Sequence, residues 1–218
     1  MNIQEKPPLD PHPLSPYVAW AGNRNRDPIL VVLKNKLPKT SGNVLEFATG
    51  SGMHINYFAP NFKHLHFYPT DKDTETFDNI KKLTKENGNT NIVDPVQVDL
   101  TKPETWSNPG KAKSIDAIFC INIFQVAPIS IADGMMECAA NLLTDDGFLL
   151  IYGPFKVEGG FSTDSNKEFH DTLSSYGVSE WGLKDVADLK KAADKYGLEL
   201  KEQINMPTNN FSLIFGRK

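Results

Sequence analysis

Apolar residues in this chain come in short, nearly unbroken runs that alternate with longer segments in which they recur every three or four positions. That alternation predicts strands interleaved with helices. Val44, Leu45 and Phe47 open the series and run into Gly50-Ser51-Gly52, after which Met53 to Phe58 carries a helical period. HLHFYPT ends in Asp71 and reads as a second strand, followed by a helix from about Thr74 to Glu86 that Asp73 is placed to cap. Pro95 to Val98 reads as a third strand ending in Asp99 and Leu100. Ile115 to Ile121 is apolar except for Asp116, as expected of a central parallel strand buried on both faces. A helix over Ser130 to Leu143, a turn at Thr144–Gly147 and a strand from Phe148 to Tyr152 come next. Asp185 to Tyr196 is an amphipathic helix stopped by Gly197. Leu198 to Asn205 and Phe211 to Gly216 alternate with period two, and MPTNN joins them as a hairpin.

Two stretches break the rhythm. Residues 1–16 hold Pro7, Pro8, Pro11, Pro13 and Pro16, which is too much proline for a helix or a central strand. The reading there is an extended arm over residues 1–26, with one domain over residues 27–218. The first helix then starts at Asp27 as N-cap with Pro28 at the first helical position, and Pro38 ends it. The arm keeps Tyr17, Val18 and Trp20 together, which a solvated tail has no reason to do, so a lid that closes on a ligand is expected. Phe155 to Trp181 is too long for a plain connection, and an inserted lid or substrate loop is the usual reason, with Asn166, Phe169 and Trp181 as its candidates.

At 218 residues the length suits one domain with a sizeable core, and a net charge of −4 without any basic block argues against nucleic acid and anionic membranes as partners. No apolar run has the length of a membrane span, and a cytoplasmic location is expected. Cys120 and Cys138 lie in apolar stretches without metal-ligand spacing and read as buried free thiols.

The chemistry concentrates at strand ends. A strand that feeds a glycine turn and a helix start can hold a nucleotide-type ligand, because glycine admits close approach and the first helical N–H groups are free. The bland alternative is a strand–helix turn with no ligand. Glu46 inside the strand, with Ala48, Gly50 and Gly52 at alternate positions after it, favours a cationic amino group over a pyrophosphate. Ile55 stands where a dinucleotide fingerprint needs its third small residue. Asp71, nineteen residues beyond Gly52, suits the acidic group that accepts from two ribose hydroxyls. Asp99, with the backbone of Leu100, is a candidate for an adenine amino group, and each of these aspartates is also a common turn residue.

Together these landmarks resemble the class I S-adenosylmethionine (SAM) methyltransferases, whose first motif reads E/D-x-G-x-G-x-G, with Ala48 here in place of the first glycine. LLTDDGFLLIYGP resembles the helix–turn–strand that follows their fourth strand. GNRNRDPIL, VLEFATGSGMH, FYPTDKD, AIFCINIFQVAP and MPTNNFSLIF further resemble the methyltransferase-like 26 family, which has bacterial members described as a domain of unknown function. The resemblance implies a Rossmann-like α/β fold with a central, mostly parallel seven-stranded sheet, a C-terminal antiparallel hairpin and helices on both faces. It also implies SAM as cofactor and transfer of a methyl group to an unidentified, small-molecule acceptor. On this reading Glu46, Ala48, Gly50, Gly52, Asp71, Asp99, Leu100 and Asn122 contact the cofactor, and Arg24 or Arg26 pairs with its carboxylate. Asn122, Gln125 and His54 are the catalytic candidates. Gln125 stands where the family often has His, and an amide cannot take a proton near neutral pH. The competing class is therefore a SAM-binding or partner-binding protein without transferase activity. A nicotinamide dehydrogenase is disfavoured by Ile55 and by the hairpin. Oligomeric state is open.

Overall fold

A computed structural model describes residues 5–106 and 112–218. Seven strands form one sheet in the order β3-β2-β1-β4-β5-β7-β6, where β1 is Gly42–Phe47, β2 Leu65–Asp71, β3 Val96–Gln97, β4 Ile115–Ile121, β5 Leu143–Gly153, β6 Leu198–Met206 and β7 Asn210–Arg217. The first five run parallel. β7 lies antiparallel between β5 and β6. This is the class I SAM-methyltransferase fold.

Alternation along the central strands builds two cores. Leu45 and Phe47 of β1 join Ile118 and Cys120 of β4 on one face, with Leu149 and Ile151 of β5 beside them. Val44, Ala117, Phe119 and Leu150 turn to the other. The first face is covered by α4 (Ile131–Leu142) and α6 (Val186–Lys195). The second is covered by α1 (Pro16–Lys36) and α2 (Met53–Phe58). Burial on both sides explains the unbroken apolar run of β4. Both cysteines are buried free thiols, and burial pushes Cys138 up to about 12.

The first helix corrects the sequence reading. It starts at Pro16 and runs unbroken to Lys36, carrying Pro28 inside it. Ser15 is the N-cap, its Oγ accepting from the Val18 N–H at 3.1 Å. Ser15-Pro16 obeys the same cap rule as Asp27-Pro28. Pro28 removes only one i→i−4 bond, and Ile29 and Leu33, fully buried behind it, hold the helix in place. Asp27 is not a cap; its carboxylate accepts the Tyr57 hydroxyl instead. Only residues 5–15 of the described arm lie outside helix and strand. The insertion after β5 also contains regular structure, α5 (Asp164–Ser174), capped by Thr163. The turn expected at Thr144–Gly147 falls inside β5, where the register with β4 shifts between Ile115 and Ala117.

Candidate functional site

In the sheet order, β1 has β2 on one side and β4 on the other, so the parallel strands are added leftward up to β3 and rightward from β4, and the order of winding reverses between β1 and β4. Open α/β sheets place their ligand crevice there, beyond the strand C-terminal ends. A cleft of about 530 Å³ occupies that position. Its floor is the turn after β1, in which Ala48, Gly50 and Gly52 all take left-handed backbone, with φ of 52°, 56° and 80°. Alternate glycines suit this shape. At Ala48 the side chain makes it cost roughly 1–2 kcal/mol.

The turn is tied to β2. Thr70 Oγ1 donates to the Glu46 carbonyl at 2.7 Å and the Thr70 N–H to Thr49 Oγ1 at 3.0 Å. Asp71 accepts the Gly50 N–H at 2.8 Å on Oδ2 and the Asp73 N–H at 3.1 Å on Oδ1. Burial raises its pKa against these bonds. Glu46 is 2% exposed, and its Oε2 has no hydrogen-bond partner among the described residues. Burial, opposed by the Thr49 hydroxyl and reinforced by the Asp71 carboxylate, raises Glu46 well above the carboxylate range. Two buried carboxylates in one wall, one with an orphaned oxygen, make a site short of a cation.

At the β3 end, Asp99 accepts from the Thr101 N–H at 2.9 Å and the Thr101 hydroxyl at 2.7 Å, and the latter chiefly holds its pKa low. Asp99 thus ties its own turn while lining the cleft beside Leu100. At the β4 end Asn122 also has left-handed backbone, φ 56°, and its N–H bonds to the Tyr152 carbonyl at 2.9 Å. Gln125 Nε2 donates to the Asn122 carbonyl at 2.9 Å, which leaves the Gln125 amide oxygen as its outward group.

Helix α1 roofs the cleft. It lies close on α2 because Gly22 has no side chain to meet Met53. His54 Nε2 of α2 is 2.7 Å from Asn25 Oδ1 of α1, a bond in which the ring donates. Burial first, then the Arg26 guanidinium, pushes its pKa down to about 4. Leu9, Pro13 and Tyr17 close the cleft from the arm side, and Phe169, Leu173 and Trp181 from the insertion. The Tyr176 hydroxyl joins the two by donating to the Leu9 carbonyl at 3.0 Å.

Glu46, Ala48, Gly50, His54, Asp71, Asp99, Leu100, Asn122 and Gln125 are therefore brought to one cleft. Three expected residues are not. Gly52 faces Ile80 of α3 (Phe77–Glu86), where an added Cβ would come within 3.0 Å. Arg26 lies over the Tyr57 ring at 4.4 Å, on neither cavity wall. Arg24 lies over the Trp20 ring at 4.5 Å and lines a smaller neighbouring cavity together with Asn166. Tyr152 and Asn210 of that second cavity went unread in the sequence. Tyr152 could have been found from its place at the C-terminal end of a strand in an α/β sheet.

The comparisons with known proteins agree with this architecture. The model of the family described as "Protein of unknown function (DUF938)" matches residues 16–217. An O-methyltransferase family protein from Burkholderia thailandensis is similar in structure, with a TM-score of 0.76 at 15% identity over 93% of this chain and 57% of that one. CalO1, a methyltransferase in calicheamicin biosynthesis in its S-adenosylhomocysteine-bound form, gives 0.72 at 13% identity over 93% and 56%. An O-methyltransferase family 2 protein from Planctomyces limnophilus, in complex with apigenin, gives 0.73 at 15% over 92% and 60%. The chain thus spans less than two thirds of each of these proteins. Among the described residues no helix is long and apolar enough to cross a membrane, and no cluster of three metal-ligating side chains is found.

Proposed function

The chain belongs to the family described as "Protein of unknown function (DUF938)", and from that premise we propose that it is a SAM-dependent methyltransferase acting on a small-molecule acceptor. The observation that carries the reading is the Glu46 oxygen, without a hydrogen-bond partner among the described residues, in the wall of a cleft at the β1–β4 switch point. A ligand with an ammonium group beside an adenosine fits this donor set. Glu46 would hold the ammonium, Asp71 the ribose hydroxyls, and the Asp99–Leu100 segment the adenine. When bound, SAM supplies a sulfonium methyl, an electrophile that transfers as the C–S bond leaves its electron pair on sulfur.

What this chain contributes is alignment and exclusion of water. Residues of α1 and the insertion line the cleft, and with SAM bound they would shield the sulfonium from water. Asn122 and Gln125, at the end of β4, present amide groups where an acceptor is to be oriented. His54, neutral and pushed down to about 4, is a weak base. The acceptor atom therefore comes with its own available lone pair. The same weakness supports the second reading, a SAM-binding or partner-binding protein without transfer. The finer kinship with methyltransferase-like 26, and a cytoplasmic place of work, belong to this proposal as well.

Calorimetry with SAM and S-adenosylhomocysteine tests it. Wild type is expected to bind both at one site. Glu46→Gln should weaken both by roughly tenfold to a hundredfold, the cost of losing a charged hydrogen-bond acceptor. It should also raise the melting temperature of the free protein more at pH 8 than at pH 5, because a carboxylate with a raised folded-state pKa costs more stability as pH rises. Unaltered affinity in this variant would remove Glu46 from the site. Release of S-adenosylhomocysteine from SAM in a metabolite extract separates transfer from binding alone.

A further inference from the structure

Beyond Asn122 and Gln125, which line both cavities, lies the second chamber of about 310 Å³. That size is near the lower limit of ligand pockets, so its occupant is small. Tyr17, Trp20 and Phe169 supply aromatic walls. Its charged lining groups are Lys6, Arg24 and Glu168, an excess of one positive charge. Among the described residues no carboxylate pairs with Arg24, whose guanidinium is stacked over Trp20. The planar fork is thus free to take a carboxylate through two parallel hydrogen bonds.

At the junction with the main cleft, Asn122 Oδ1 and Gln125 Oε1 come within 3.8 and 3.7 Å of the point where a Cβ on Gly153 would sit. The two amide oxygens, from residues that line both cavities, therefore stand near one point beside Gly153, with Phe155 Cε2 at 3.6 Å as its other neighbour. Neutral acceptors in a pair select a group with N–H bonds to donate. A hydroxyl acceptor would need a base beside it, whereas an uncharged aromatic amine carries its own lone pair.

We propose that this chamber binds a small aromatic amine that bears a carboxylate. Arg24 takes the carboxylate, the aromatic walls take the ring, and Asn122 Oδ1 with Gln125 Oε1 holds the amine against the main cleft. The assignment rests on the methyl-transfer reading above. In that reaction the nitrogen lone pair forms the new C–N bond as the sulfonium C–S bond breaks with its electrons left on sulfur. The nitrogen then releases one proton to water.

The probes are 2-, 3- and 4-aminobenzoate, their three aminobenzamides and benzoate, titrated calorimetrically with and without S-adenosylhomocysteine. At least one aminobenzoate should bind, roughly tenfold or more tighter than its amide, as a charged hydrogen-bonded pair requires. Arg24→Gln should erase that preference and weaken aminobenzoate by a larger factor than it weakens S-adenosylhomocysteine. Gly153→Ala meets neighbours only at 3.6–3.8 Å, so the fold accepts it, and it should cost aminobenzoate binding while sparing benzoate. Acid and amide binding alike, no aminobenzoate binding at all, or an Arg24→Gln loss shared equally with S-adenosylhomocysteine would overturn the proposal. Aminobenzoate bound without any binding of S-adenosylhomocysteine would instead overturn the methyl-transfer reading and leave the chamber standing.

Discussion

His54 is held neutral between two helices, and that makes it an acid-sensitive joint. Its folded-state pKa of about 4 lies below the ordinary 6.5, so the unfolded chain binds the extra proton between those values. Stability from this group is fully present above pH 6.5 and is lost as pH falls toward 4, on the order of 3 kcal/mol in all. Glu46 and Asp71, both raised by burial, act in the opposite sense and soften the acid loss. Urea unfolding at pH 7 and pH 4.5 should therefore show a steeper loss in wild type than in His54→Phe, whose ring can still pack on Phe58. Equal slopes would mean that His54 is solvated. Glu46 was legible in the sequence because a carboxylate inside a buried strand has to be explained. The Asn25–His54 bond was not, because the two residues come from different helices and meet only through the missing side chain of Gly22.

Helix α1 shows how one misplaced cap propagates. With the helix begun at Asp27, both arginines stand before it and either can be swung to a ligand. With the helix begun at Pro16, residues two apart are separated by about 200° around the axis, so Arg24 and Arg26 cannot face the same place. Arg24 reaches the second chamber and Arg26 goes to Tyr57. The strands were easier to read, since burial on two faces writes itself as unbroken apolar runs. Helix α4 carries a tighter constraint: a Cβ at Gly134 would overlap the Leu100 carbonyl, and backbone yields poorly. Gly134→Ala should therefore cost about 1–3 kcal/mol from overpacking, despite roughly 1 kcal/mol of gain in helix propensity. The displaced Leu100 should weaken S-adenosylhomocysteine as well. A urea midpoint at or above wild type would show that the contact relaxes freely.

In the whole molecule the strand order follows from landmarks spaced along the chain, whereas the closure of the cleft does not. Its rim takes Leu9 and Tyr17 from one end of the chain and Phe169 and Trp181 from another, 167 residues apart at the Tyr176–Leu9 hydrogen bond. No local pattern encodes such a pairing, and within α5 only Phe169 and Leu173 mark an apolar face. Amide exchange over residues 15–26 should slow when S-adenosylhomocysteine is added, since ligand and roof then shield one another. Exchange indifferent to ligand would make this half of α1 a fixed wall. The Tyr176 latch has a further consequence for kinetics. If the mouth has to part before anything enters, the observed association rate in stopped flow should stop rising with ligand concentration and level off at the opening rate. Tyr176→Phe, which cannot donate to Leu9, should lift that ceiling and shorten the residence time of whatever the cleft holds.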